Sequence, residues 1–291
     1  MLLFDGQLLN IRTKLIIRCT VAREALKMKD KRVTTGFDPE TGIATLSFNR
    51  PEALNAIDVS LARAFRAEVE GLKTLSGVRC VVLKGEGRAF MAGGDVASMA
   101  GSPEQAREAI SAILDAVNPA ILLLRSMDAP VIAVVKGVAA GAGLSLVLMA
   151  DLVIAEENTK FLMAYNGIGA VPDCGGSWFL MRKIGAGRAA ELMLLGRTLS
   201  AAEAKGWGMI TESVPEADFE RRVTEITETI ANGPTRAFGA FRRLTDRACG
   251  DQLAAQLDAE KDAFLEMTRT RDFAEGVSAF LAKRAPEFDG F

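Results

Sequence analysis

The chain has no histidine among its 291 residues. That absence removes Ser-His-Asp and Cys-His nucleophilic schemes and every metal site built on imidazole. Acid–base chemistry is left to carboxylates, lysine, cysteine, water and Tyr165, the single tyrosine. Cysteine is sparse as well. Cys19, Cys80, Cys174 and Cys249 lie far apart with no C-x-x-C spacing, which argues against a zinc site or a disulfide framework and makes a reducing, cytoplasmic setting the expectation. Positive charge is not in excess, the formal net charge being −2, so nothing draws the chain as a whole to nucleic acid. No apolar run reads as long enough to span a bilayer, and the expectation is a protein without a membrane segment.

What is present is ample apolar material. At 49% hydrophobic and 25% charged residues, the chain can build one large domain, or a core with an appendage. Its charge is unevenly spread. Residues 1–32 carry eight Lys/Arg against three Asp/Glu, a local +5, which leaves −7 for the remainder. This leader has no serine and no clear cleavage site, so it is read as a basic upstream extension and not as an organelle address.

From Val33 onward strands and helices alternate. GIATLSF (Gly42 to Phe48) alternates as a half-buried strand does, and CVVLKG, VIAVVKG and LVIAEE (Leu152 to Glu157) read as strands buried on both faces. Between them Leu61, Phe65, Val69 and Leu72 form one helical stripe, and Ala109, Ile113 and Val117 another. Such alternation predicts an α/β fold. Beyond about Asp218 the pattern is helical only, with stripes at Phe219, Val223, Ile226 and Ile230 and at Leu253, Leu257 and Phe264. The expected organisation is an extension over 1–32, an α/β core over 33–217 and a helical region over 218–291.

Two glycine-rich segments, GRAFMAGGDV (Gly87 to Val96) and GVAAGAG (Gly137 to Gly143), each follow a β-like run. Each should therefore lie where a strand gives way to a helix, with backbone N–H groups facing outward and unpaired. Two such groups aimed at one point form an oxyanion hole. The simpler alternative is that these glycines serve tight turns and close strand–helix packing.

These segments, with FNRPEALNAI (Phe48 to Ile57), APVIAVVKGVAAGAG (Ala129 to Gly143), IGAVPDCGGSWFL (Ile168 to Leu180), AAEAKGWGMI (Ala201 to Ile210) and EGVSAFLAKRAPEF (Glu275 to Phe288), occur in the order of one family. The chain resembles the enoyl-CoA hydratase/isomerase (crotonase) superfamily from Val33 to Phe291. Within it, the PDCGGSWFL block and the chain ending look most like the ring-epoxide isomerases of phenylacetyl-CoA breakdown. The resemblance implies a crotonase-like spiral of ββα units with a C-terminal helical oligomerisation region, and an acyl-CoA thioester as substrate. It implies no separate cofactor, coenzyme A being part of the substrate, and a homotrimer or hexamer.

Carried over residue by residue, the resemblance makes the N–H groups of Gly94 and Ala142 the two oxyanion donors, with the helix opening at Gly143 adding its positive dipole end. The two glutamates that activate water in hydratases fall on Ser145 and Tyr165, neither of which is a competent base near pH ~7. One carboxylate occupies a family catalytic position: Asp173. The alternative for Asp173 is an N-cap on a helix starting at about Gly175. As a base it needs a raised pKa, which apolar neighbours such as Ile168 and Val171 could supply. Ala53, Leu54, Ala92, Asp95 and Val96 are placed by the resemblance along the CoA moiety, and Phe280 and Lys283 of a neighbouring subunit near its nucleotide. Tyr165 and Trp178 are candidates for the wall of the acyl pocket, with plain core packing as the alternative.

The expected activity is isomerisation of an acyl-CoA through a thioester enolate with Asp173 shuttling the proton. Two alternatives stand beside it: hydration of a 2-enoyl-CoA, and acyl-CoA binding without turnover.

Overall fold

The computed structural model describes residues 31–248, 250 and 252–291. Most of the basic extension, with Cys19, and also Cys249 lie outside the described residues. β1 (Val33–Asp38) and β2 (Ile43–Phe48) form an antiparallel hairpin. Its turn is held by the Asp38 carboxylate, which accepts from Glu40 N and Thr41 Oγ1, both at 2.9 Å. β2 then opens a parallel array with β3 (Cys80–Gly85), β4 (Val131–Val135), β6 (Leu152–Glu156) and β9 (Glu212–Val214), giving the order β1-β2-β3-β4-β6-β9.

The continuous apolar runs of β3, β4 and β6 have a simple cause: both faces of this sheet are covered. On one face Val81, Leu83, Val131, Ala133, Val135 and Val153 enter the main core; on the other Cys80, Val82, Ile132, Val134 and Ile154 form a second core. That second core is closed by α6 (Phe219–Ala231), whose Phe219, Val223, Ile226 and Ile230 are the expected stripe.

A smaller sheet, β5 (Val138–Ala140), β7 (Lys160–Leu162) and β8 (Thr198–Ser200), runs beside the large one. β4 and β6 each lead on to a strand of the small sheet, and Met91, after β3, reaches it through a single bridge to Ala139. The helices that follow are α1 (Val59–Thr74), α2 (Pro103–Ser126), α3 (Ala142–Met149), α4 (Gly176–Leu195) and α5 (Ala201–Gly206). This is the spiral of ββα turns that the resemblance implies. Asp58 caps α1 by accepting Leu61 N at 2.7 Å, and a reciprocal Ser102–Gln105 box caps α2.

Two expectations need correction. On α2, Ile113 and Val117 are buried but Ala109 only borders the stripe, which Ala106, Ile110, Leu114, Ile121 and Leu124 extend. α2 is also long and apolar enough, by length and composition alone, to cross a membrane, contrary to the reading of the sequence. Here its apolar side chains are spent on the main core. Three further helices, α7 (Thr235–Ala248), α8 (Leu253–Met267) and α9 (Arg271–Leu281), complete the chain. Of these, α8 and α9 bury Leu257, Phe264, Phe273 and Val277 in that same core.

Candidate active site

The first glycine segment is stapled to the loop after β2 by Asn55, a fully buried side chain with φ +58°. Its Nδ2 donates to the carbonyls of Glu86, Ala89 and Phe90 at 3.0, 2.9 and 3.1 Å, while Oδ1 accepts Arg50 N at 2.8 Å. Backbone bonds follow: Ala92 N to Leu54 O, Ile57 N to Gly93 O and Asp95 N to Ile57 O, at 2.8–2.9 Å. Gly94 lies between the two residues that bond Ile57, so its own N–H faces the other way, and among the described residues it has no acceptor.

The second segment is drawn against the first by Met91 N to Val138 O and Ala140 N to Met91 O. The approach is close. A Cβ at Gly143 would stand 2.5 Å from Met91 O, so only glycine fits there. Gly141, at φ +49°, turns the chain into α3, whose first N–H, that of Ala142, likewise has no acceptor among the described residues. α3 therefore opens one residue earlier than the sequence reading. Gly94 and Ala142 both line one cavity of about 90 Å³, and the N-terminal dipole of α3 adds positive potential to it.

Across this cavity stand Tyr165 and Asp173. The Tyr165 hydroxyl donates to Asp173 Oδ1 at 2.7 Å and lies 3.1 Å from Ser145 Oγ. With its proton committed to the carboxylate, Tyr165 accepts from Ser145. Asp173 is 8% exposed. Burial pushes its carboxyl above the ordinary carboxylate range, and hydrogen bonds from Tyr165 and Cys174 hold back part of that rise. Burial, with the Asp173 charge second, drives the Tyr165 hydroxyl well above its usual range, so it remains a donor. The Cys174 thiol is raised for the same two reasons, which leaves it unreactive.

Asp173 does not cap the following helix. Gly175 is the cap residue of α4 and has no side chain to offer. The free N–H groups of α4 are met instead by Glu260 of α8, which accepts Gly175 N at 2.7 Å and Ser177 N at 2.9 Å. Glu260 was not among the sequence candidates, although a glutamate on the Leu257 and Phe264 stripe was a visible anomaly.

Of the sequence candidates, Gly94, Ala142, Tyr165, Asp173, Ala92, Val96 and Phe280 line the cavity, and Ser145 stands behind Tyr165. Phe280 lines the cavity of its own chain. Ala53, Leu54, Asp95 and Lys283 are not part of the lining. Asp95 is engaged in an ion pair with Arg50 at 2.7 Å and caps the short turn Val96–Met99 through Ala97 N. Trp178 is corrected: its ring lies under the Arg182 guanidinium and lines a different cavity. Wall residues that no motif reading named are Met99, Ala164, Gly167 and Phe264. Among the described residues no group of three His, Cys, Asp or Glu side chains could hold a metal ion.

Comparison with known proteins identifies the family of the chain. The profile of the enoyl-CoA hydratase/isomerase family matches residues 38–290. The chain is similar to the 1,2-epoxyphenylacetyl-CoA isomerase of Escherichia coli (strain K12), at 38% identity over 86% of this chain and 96% of that protein. It is also similar to a probable enoyl-CoA hydratase of Rhodobacter capsulatus, at 35% identity over 88% and 98%. Among solved structures, an enoyl-CoA hydratase from Mycobacterium avium subsp. paratuberculosis K-10 superposes with a TM-score of 0.80 at 31% identity, covering 89% of this chain and 98% of that one.

Proposed function

The chain belongs to the enoyl-CoA hydratase/isomerase family, and from that premise we propose that it is an acyl-CoA isomerase using one base. The observation that carries this reading is that Asp173 is the only carboxylate among the described residues lining the cavity, with hydroxyls at Ser145 and Tyr165 where a hydratase would hold two glutamates. Hydration needs a base for water and an acid for carbon. Isomerisation needs one group that removes a proton and returns it.

In this reading the thioester carbonyl of a 3-enoyl-CoA accepts from Gly94 N and Ala142 N. Asp173 Oδ2 takes a proton from the carbon next to the carbonyl, and the electron pair moves into the thioester oxygen as a dienolate. The same proton then returns to the far end of the diene, giving the 2-enoyl thioester with no change in mass. Tyr165 occupies Oδ1 and so fixes the carboxyl plane. The raised pKa of Asp173 suits the task, because a carboxylate at its ordinary value is too weak a base. The likeness to a 1,2-epoxyphenylacetyl-CoA isomerase makes ring-derived acyl groups the first substrates to try beside linear ones.

The test is turnover of a 3-enoyl-CoA, a 2-enoyl-CoA and a ring-epoxide or oxepin-type CoA ester by wild type and Asp173→Asn, with products resolved by mass. The expected result is a product of unchanged mass, with the rate reduced about 10²- to 10⁴-fold by the substitution. Gain of one water that survives Asp173→Asn would replace this reading with the hydratase, which the likeness to a probable enoyl-CoA hydratase keeps in view. Tight acyl-CoA binding with no turnover of any of the three would point to a binding protein.

A further inference from the structure

Asp173 sits on an unusual turn. The two residues after it, Cys174 (φ +55°) and Gly175 (φ +81°), are both left-handed, and Cys174 carries a side chain in that conformation. A non-glycine residue there is strained and persists only if its surroundings enforce it. The turn is braced internally by Gly176 N to Asp173 O at 2.8 Å. N–H groups at its end are met by a distant side chain. Glu260, 4% exposed on the apolar face of α8, takes Gly175 N on Oε2 and both the N–H and the hydroxyl of Ser177 on Oε1. Gln256 adds a bond to Ser177 Oγ at 2.9 Å from the same helix.

We propose that Glu260 is the positioning residue of this site: its carboxylate clamps the left-handed turn between Asp173 and α4, and so sets where the Asp173 carboxyl stands against Tyr165 and the cavity. The proposal rests on the reading of Asp173 as the base. Glu260 itself does not line the cavity and touches no substrate.

A carboxylate suits this place for a chemical reason. Three donors converge on it and nothing there asks for a proton, so an amide would turn its own NH₂ against a backbone N–H. Among the described residues no Lys or Arg pairs with Glu260; the groups facing it are the Asp173 carboxyl and Cys174 thiol of the turn, the Ser177 hydroxyl of α4, and Gln256 of its own helix. Burial, with Asp173's charge as a lesser cause, raises its pKa to about 7. The clamp is thus in its ionised, fully accepting form above neutrality.

Tyr165, as the only tyrosine in the chain, gives a direct reporter. Tyrosine labelled with ¹³C at Cζ yields a single ring resonance whose shift reads the hydrogen bond to Asp173 without any substrate. In Glu260→Gln the resonance is expected to move in the direction in which Asp173→Asn moves it. Turnover of a 3-enoyl-CoA should fall about 10- to 100-fold in kcat with KM within about twofold, the signature of a displaced base with intact thioester binding. Ser177→Ala, which removes one donor and keeps the Ser177 N–H bond to Glu260, should move the resonance the same way by a smaller amount. It serves as the reading if Glu260→Gln does not fold.

An unmoved resonance in both variants, with kcat unchanged, would overturn the proposal. A moved resonance together with full turnover by Asp173→Asn would remove the base and leave the clamp. Loss of turnover in Asp173→Asn with an unmoved resonance in the Glu260 and Ser177 variants would keep the base and remove the clamp.

Discussion

Two buried carboxylates set the cost of this site. The folded-state pKa of Asp173 lies above its ordinary value, and that of Glu260 rises from 4.5 to about 7. A raised pKa means that the folded chain binds the proton more tightly than the unfolded chain does. The stability it contributes is therefore full below the unfolded value and is lost as pH rises through the folded one. The proposed reaction asks for the opposite, since in it Asp173 and Glu260 act in their ionised forms. Asp173→Asn keeps an acceptor for the Tyr165 hydroxyl and removes the buried charge, so it should melt a few degrees above wild type at about pH 8, with a smaller difference at about pH 5. Thermal unfolding of the two proteins at both pH values measures this. A variant that melts below wild type at the higher pH would mean that the Asp173 charge is stabilised by something other than the contacts described.

At the scale of elements, periodicity carried the fold and adjacency in sequence carried part of the site. Strands β3, β4 and β6 were legible as apolar runs, and α1 and α6 as stripes, because each pattern is local. Why both faces of those strands are apolar was not legible, since α6 covers the second core from far along the chain. Gly94 and Ala142, which line one cavity, could be picked out because each follows its own strand. Glu260 could not, because it meets Ser177 from 83 positions away and looks in sequence like a polar break in a helix stripe.

The glycine segments also yield a contrast at this scale. Gly143→Ala drives a Cβ against Met91 backbone oxygen at 2.5 Å, and neither strand-end can yield without moving Ala142 N. The expected cost is about 1–3 kcal/mol in stability, with a fall in kcat. Gly94→Ala meets only the Met99 methyl, at 2.6 Å, the free end of a flexible side chain. It should be milder on both counts, as denaturant unfolding and steady-state rates will report. Equal penalties at the two positions would contradict the idea that backbone contact between the loops sets the hole.

The described chain lines one cavity with residues from many elements yet leaves apolar surface uncovered. Phe264 from α8 and Phe280 from α9 line the cavity of the same chain. α7 is pinned inward by Arg242, which pairs with Asp151 at 2.7 Å, while Phe241 and Leu244, three residues apart on that helix, are 67% and 64% exposed. Leu194 and Leu195 at the end of α4 are exposed as well. Large apolar side chains grouped this way are seldom left to water, and the helical region was expected from the sequence to serve assembly. Light scattering should therefore find three or six times the 31.1 kDa chain mass. The pair Phe241→Glu and Leu244→Glu should shift that mass toward the monomer, because burying unpaired carboxylates at a contact is unfavourable. The Tyr165 resonance should stay in place in the dispersed variant, since Ser145, Tyr165, Asp173 and Glu260 are held by contacts within one chain. A wild type that runs at the mass of a single chain would remove the assembly role from this face, and a resonance that moves on dispersal would show that the site depends on its neighbours after all.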